Sequence, residues 1–210
     1  MPKSAASQPL FLYSTTVSDV GTVRANNQDS SFAGEHLIAM CDGMGGHAAG
    51  EVASSIAVET IAKTAPQSAD AARLAAAVEA ANAAVIEAAL NGLGKPGMGC
   101  TATCAYIEND TLAIAHVGDS RAYLLHEGTL IRVTRDHSYV EELVDAGEIT
   151  ADEARVHPNR SVITRALGSD PAMYADHFTL HIEEGDRLIL CSDGLSSMIP
   201  DSDIENIATQ

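Results

Sequence analysis

Tryptophan is absent from this chain and aromatic residues make up only 4% of it, so its core must be built from aliphatic side chains and alanine. Basic residues are scarce as well. Twelve Lys and Arg stand against 29 Asp and Glu, a formal net charge of −17. That balance argues against nucleic acid as a partner, because such affinity rests on Lys and Arg neutralising phosphates, and equally against anionic membrane surfaces. No stretch approaches the ~20 apolar residues of a membrane span. The N-terminal MPKSAASQP lacks the apolar segment of a signal peptide, so residues 1–10 read as a loose tail. The four cysteines show no metal-ligand spacing. Cys41 and Cys191 lie inside apolar runs, and Cys100 and Cys104 share one face of another, the pattern of reduced core thiols in a cytoplasmic protein. What is present is 46% hydrophobic residues over 210 positions with no low-complexity run or linker. Residues 11–210 therefore read as one domain with a sizeable core.

Strand-like runs fall in three blocks: near 11–17, 30–33 and 36–41; a meander of 102–107, 111–117, 121–126 and 129–134; and a pair at 176–182 and 187–192. Helical patterns fill the gaps. Residues 48–64 carry Val52, Ile56 and Ile61 at nearly helical spacing. Residues 69–91 hold a stripe of Leu74, Val78, Ala81, Val85 and Ala89, with Ser68 as its expected N-cap and Gly92 and Gly94 as its stop. A short helix is expected near 138–146, Thr150 and Glu153 form a capping box, and a last helix follows Pro200. Strands in blocks, joined mostly by hairpins and separated by helices, predict an α+β fold with antiparallel sheets.

Three apolar runs end alike: LIAMCDG (37–43), LAIAHVGD (112–119) and RLILCSDG (187–194) each deliver an aspartate beside a glycine as a strand runs out. Asp29 sits just before the strand at 30–33. A single acid in such a place reads as a turn residue or helix cap; the repeated pattern suggests convergence. Converging carboxylates repel one another, and a hard divalent cation such as Mg²⁺ or Mn²⁺ relieves the repulsion. Two such ions would clamp a phosphoryl group and generate a hydroxide nucleophile. Arg24, which alone reads as a surface residue, becomes a candidate phosphate anchor five residues before Asp29.

The motifs R-x-x-N-x-D (24–29), D-G-M-G-G-H-x-x-G-E (42–51), G-x-T (99–101), G-D-S-R-A-Y (118–123), D-H-S (136–138), R-A-L-G (165–168) and S-D-G-L (192–195) occur in that order. Together they resemble the metal-dependent Ser/Thr protein phosphatases of the protein phosphatase 2C family, in its bacterial form. The resemblance implies a four-layer α-β-β-α sandwich of two antiparallel sheets flanked by helices, with two Mn²⁺ or Mg²⁺ ions in a cleft between the sheets. It makes Asp42 the bridge between the ions, the Gly43 carbonyl a ligand to one and Asp193 a ligand to the other. Asp29 would orient the attacking water, Arg24 would hold the phosphate, and Asp119 with Asp193 would bind a possible third ion.

It further implies phosphorylated proteins as partners, Ser/Thr kinases and their substrates among them, and an expected monomer. Residues 137–160 match a flap beside the cleft; its acids (Glu141, Glu142, Asp145, Glu148, Asp152, Glu153) read either as substrate-facing or as a solvated helix face. Many eukaryotic members carry a histidine, a proposed general acid, where Met44 stands, so that role is vacant or passes to His47 or to a metal-bound water; His47 reads instead as a residue that only caps or packs at the following helix. Gln28 replaces a frequent glutamate. The family's further Asp-Asn pair has no counterpart after SDGL, which reads as a domain truncated before its last metal-binding segment. The rival expectation is a catalytically impaired regulatory member that binds phosphoproteins.

Overall fold

A computed structural model of the chain describes residues 12–45 and 49–210; the expected tail at 1–10 and His47 lie outside them. The elements run β1 (Asp29–Ala33), β2 (Leu37–Met44), α1 (Ala49–Thr64), α2 (Ala71–Leu90), β3 (Gly99–Cys100), β4 (Ala102–Glu108), β5 (Thr111–Val117), β6 (Arg121–His126), β7 (Thr129–Arg132), α3 (Tyr139–Asp145), α4 (Ala151–Val156), β8 (Asp176–His181), β9 (Arg187–Cys191), α5 (Asp193–Ser196) and α6 (Asp201–Ala208). One sheet has the order β1-β2-β4-β5-β8, with β3 beside β2, and the other the order β7-β6-β9. Every pairing is antiparallel.

Side chains alternate faces along a strand, and here the alternation sorts residues by size. Ala102, Cys104, Tyr106, Ala113, Ala115 and Val117 face α1 and α2. Ala105, Ile107, Leu112 and Ile114 face the second sheet, meeting Ala122, Leu124 and Leu190. The helix-facing side is mostly alanine and cysteine, and α2 answers with Ala71, Ala75, Val78 and Ala81. Small residues on both surfaces let the helices lie close to the sheet, which is how a core with so few aromatics reaches full density. All four cysteines are free and buried. On the far side α6 drops Ile204 against Tyr123 and Cys191, completing the α-β-β-α layers.

Local signals placed most elements. The capping box of Thr150 and Glu153 is formed, and Ser138 caps α3. Two expectations fail. Residues 12–17 form no strand: they find no ladder partner among the described residues, and only side-chain bonds such as Ser14 Oγ to the Gly34 carbonyl (2.8 Å) hold them. The cap of α2 is Asp70, whose carboxylate accepts from the Arg73 N–H at 3.0 Å, rather than Ser68.

The start of α1 packs onto the end of β2 through two glycines. A Cβ on Gly43 would lie 2.2 Å from the Gly50 carbonyl oxygen and 2.6 Å from that of Gln28, and one on Gly50 would meet the Gly43 backbone at 2.6 Å. The bare backbone at Gly43 thus makes room for a helix as well as for any ion. Gly43→Ala is expected to destabilise the protein by about 1–3 kcal/mol, the usual cost of forcing an extra methyl into a packed site. Urea unfolding of the two proteins measures it.

Candidate metal centre

The chain passes from the first sheet to the second at Gly118-Asp119-Ser120, between β5 and β6, and the strand ends there gather the expected acids. Asp29 and Asp42 are register partners across β1 and β2, a placement in which like charges oppose each other directly. Asp42 is held at both polar groups of its backbone. Its N–H donates to Thr101 Oγ1 at 2.9 Å, and its carbonyl accepts from the Thr101 N–H at 2.9 Å. Asp193 begins α5 just beyond β9. The preceding Ser192 reaches across the sheets, donating its hydroxyl to Asp29 Oδ2 at 2.7 Å.

The electrostatics record the convergence. Burial first, then the charges of Asp29, Asp193 and Asp119, push the Asp42 carboxyl up to about 8. Asp119 is pushed up to about 7 by burial and then by Asp193 and Asp136. Asp193 is raised by burial and by Asp29, and lowered by Arg24. Arg24 stands on an exposed loop, and its charge opposes the rise at Asp193. Among the described residues no three acidic, His or Cys side chains close into a finished ligand shell. The donors are nonetheless all hard oxygens, crowded enough to favour a proton or a dication. That set fits Mn²⁺ or Mg²⁺ with several waters retained.

Residues without an assigned role in the sequence reading support this cluster. Thr101 Oγ1 meets Ser120 Oγ at 2.7 Å, linking the support of Asp42 to the neighbour of Asp119. Gln28 accepts the Gly43 N–H through its carbonyl at 3.1 Å. Both Thr101 and Ser192 stood inside the quoted motifs, so their signal was present; their partners were not visible. In the flap, Glu141 pairs with Arg132 and Asp145 with Arg135, while Glu153 belongs to its capping box. Three of the six acids thus serve local structure, and Glu142, Glu148 and Asp152 face solvent.

Behind the cluster lies a histidine pair with ring centres 4.9 Å apart, His116 and His137. His116 Nε2 lies 3.0 Å from the Arg135 carbonyl, which can only accept, so Nε2 carries the proton. Burial, followed by His137, lowers the His116 pKa to about 4. The unfolded chain binds a proton near pH 6.5 and the folded one does not, so stability is lost as pH falls from about 6.5 to 4. Relative to His116→Gln, which keeps a donor toward Arg135, the wild type is expected to lose on the order of 2–3 kcal/mol across that window. Urea titrations at pH 7 and 4.5 would check this.

The family model described as "Protein phosphatase 2C" matches residues 12–210. The chain belongs to the protein phosphatase 2C family. Among curated relatives, the serine/threonine protein phosphatase PstP of Mycobacterium tuberculosis is 45% identical over 193 residues, covering 89% of this chain and 37% of that protein. The chain thus spans little more than a third of that relative's length. The serine/threonine phosphatase stp of Listeria monocytogenes is 36% identical over 201 residues, covering 90% of this chain and 80% of its own. A crystal structure of the catalytic domain of PstP in complex with two manganese ions superposes with a TM-score of 0.80 at 41% identity, covering 89% of this chain and 79% of that one. This family likeness accounts for the order of the seven motifs and for the sandwich. No helix of the described residues is long and apolar enough to cross a membrane.

Proposed function

We propose that this chain is a protein-serine/threonine phosphatase that hydrolyses phosphoserine and phosphothreonine, opposing a bacterial Ser/Thr kinase in the cytoplasm as a monomer. The observation that carries the reading is the meeting of Asp29, Asp42, Asp119 and Asp193 at one edge, with the charge of Arg24 opposing the rise in the Asp193 carboxyl. Asp42, Asp193 and the Gly43 carbonyl would hold two Mn²⁺ or Mg²⁺ ions, with Asp119 serving a third and weaker one. Bound there, such ions neutralise phosphoryl charge as Lewis acids and lower the pKa of water to near neutrality.

The chain's own residues do the positioning. Arg24 offers a planar fork to two phosphate oxygens and holds the ester at the cluster's rim. Asp29 is fixed by Ser192 and by its own N–H, which donates to Asn27 Oδ1 at 3.0 Å. It would take up the orientation of the attacking water. As the water oxygen bonds to phosphorus, the bond to the serine or threonine oxygen breaks and the released alkoxide takes a proton, a role for which His47 is the sequence candidate. Nothing in the site favours a binding-only role.

The test is phosphate release from an aryl phosphate and a phosphothreonine peptide, with Mn²⁺ and with excess chelator. Chelator is expected to abolish turnover. Arg24→Ala should raise KM roughly ten- to a hundredfold, the worth of a charged hydrogen bond, and Arg24→Lys should recover part of it. Full activity in chelator would sink the metal reading, and an unchanged KM in Arg24→Ala would return that residue to the surface.

A further inference from the structure

His137 is 3% exposed and lies outside the acidic cluster, yet it takes hold of the residue next to Asp119. Its Nδ1 accepts the Gly118 N–H at 3.0 Å, and its own backbone N–H donates to the Gly118 carbonyl at 2.7 Å. Both polar groups of Gly118 therefore end on one residue. On the opposite side Gly118 has no slack. Its φ is +110°, and a Cβ there would come within 2.5 Å of Thr101. The turn that delivers Asp119 is pinned between Thr101 and His137.

The ring is itself fixed from behind. Because Nδ1 accepts from an amide, the ring proton sits on Nε2, which lies 3.0 Å from Asp176 Oδ2. Asp176 Oδ1 in turn accepts from Arg165 at 2.5 Å, and that guanidinium stacks 4.2 Å over the Tyr174 ring. The His137 carbonyl accepts the Thr164 N–H at 2.8 Å, and Ser138 pairs with Ile163. The segment 139–163 thus leaves and rejoins the body at this residue. We propose that His137 is a positioning residue, which clamps Gly118 so that Asp119 points into the carboxylate cluster. The inference rests on reading Asp119 as a metal ligand; the clamp itself can be observed without metal.

An asparagine can place its amide oxygen where Nδ1 stood, and a glutamine can place its amide nitrogen where Nε2 stood. His137→Asn should therefore keep the bond to Gly118, and His137→Gln only the bond to Asp176. In the metal-free protein, amide exchange at Gly118 read by ¹⁵N NMR is expected to speed up about tenfold in His137→Gln, the worth of one hydrogen bond, and to stay near wild type in His137→Asn. Calorimetric titration with Mn²⁺ should show the weakest ion bound less tightly in His137→Gln and in Asp119→Ala alike. In the Asp119→Ala background, adding His137→Gln should change the isotherm no further, because the two act through one contact.

Unchanged Gly118 exchange in His137→Gln would overturn the clamp. Equal effects of Asn and Gln, or an additive loss in the double variant, would leave His137 a merely structural residue and overturn the positioning role. An Asp119→Ala isotherm identical to wild type would instead show that the ligand reading had failed, whatever Gly118 exchange reports. If His137→Gln does not fold, Asp176→Ala at the half-exposed partner replaces it: it frees Nε2 and should speed Gly118 exchange, and no change there overturns the clamp.

Discussion

Asp42→Asn is expected to abolish metal-dependent phosphate release while making the metal-free protein more stable. The two effects have one cause. Asp42 is crowded by Asp29, Asp193 and Asp119 in a partly buried position, and its carboxyl is pushed up to about 8. The unfolded chain loses that proton near pH 4 and the folded one keeps it until about pH 8, so the folded state is progressively disfavoured as pH rises between them. At pH 7 an amide at this position should recover on the order of 2–4 kcal/mol. For a chain of this length that corresponds to roughly 5–10 °C in melting temperature. The gain should shrink toward pH 4, where aspartate is protonated in both states. Saturating Mn²⁺ should reverse the ranking: at about a hundredfold above its Kd each ion adds about 2.7 kcal/mol to whatever binds it. The two ions held through Asp42 together outweigh the amide's gain, and Asp42→Asn should gain little. Scanning calorimetry of both proteins with and without Mn²⁺ decides the matter. A variant less stable than wild type in chelator would mean that the carboxylates do not repel as described.

The second large effect is expected at Asp136, which carries no expected catalytic role. Asp136 and Arg121 form a buried two-pronged pair: Nε lies 3.0 and 3.1 Å from the two carboxylate oxygens, and Nη2 lies 2.8 Å from Oδ2. Burial works to lower the Arg121 pKa, but the hydrogen bonds and charge of Asp136 overcome it and raise it. The pair ties the residues after Asp119 to those before His137. It extends outward through Tyr123, whose hydroxyl donates to Asp201 at 3.0 Å on α6. Asp136→Ala leaves a guanidinium buried with only Tyr123 and a distant Asp201 (3.6 Å) to answer it. A loss of about 3–5 kcal/mol is expected, the usual result of breaking one side of a buried pair. Replacing both partners by apolar residues, as in Arg121→Met with Asp136→Leu, should recover much of it, because no charge is then stranded. Urea midpoints of the single and double variants measure this. A double variant as unstable as the single one would show that packing, rather than the stranded charge, sets the cost.

Much of the fold and some of the site could be read from the chain alone, because those features are local. Short apolar runs bounded by turn residues mark β4 and β5, the Thr150–Glu153 box needs only three residues of separation, and an aspartate beside a glycine at a strand end is written within a few letters. The motif order brought the family, and with it the four layers and the acids Asp29, Asp42, Asp119 and Asp193 that the structure gathers at one edge. Tertiary structure decided what depends on partners distant in sequence. Residues 12–17 are rich in aromatic and β-branched residues like a strand, yet a ladder needs a neighbour, and none of the described residues supplies one. Ser192 reaches Asp29 over a separation of 163 residues, and His137 reaches Gly118 over 19. Neither bond leaves a trace in local pattern. The sequence offers Gly43 as an ion-binding carbonyl at a strand end and Gly50 as one residue of a helix, and only the packed backbone shows that the two sit against each other with no room for a Cβ. The raised carboxyls of Asp42 and Asp119 belong to the same class, since charge repulsion depends on distance through space and on burial, and both arise only when the sheets close together.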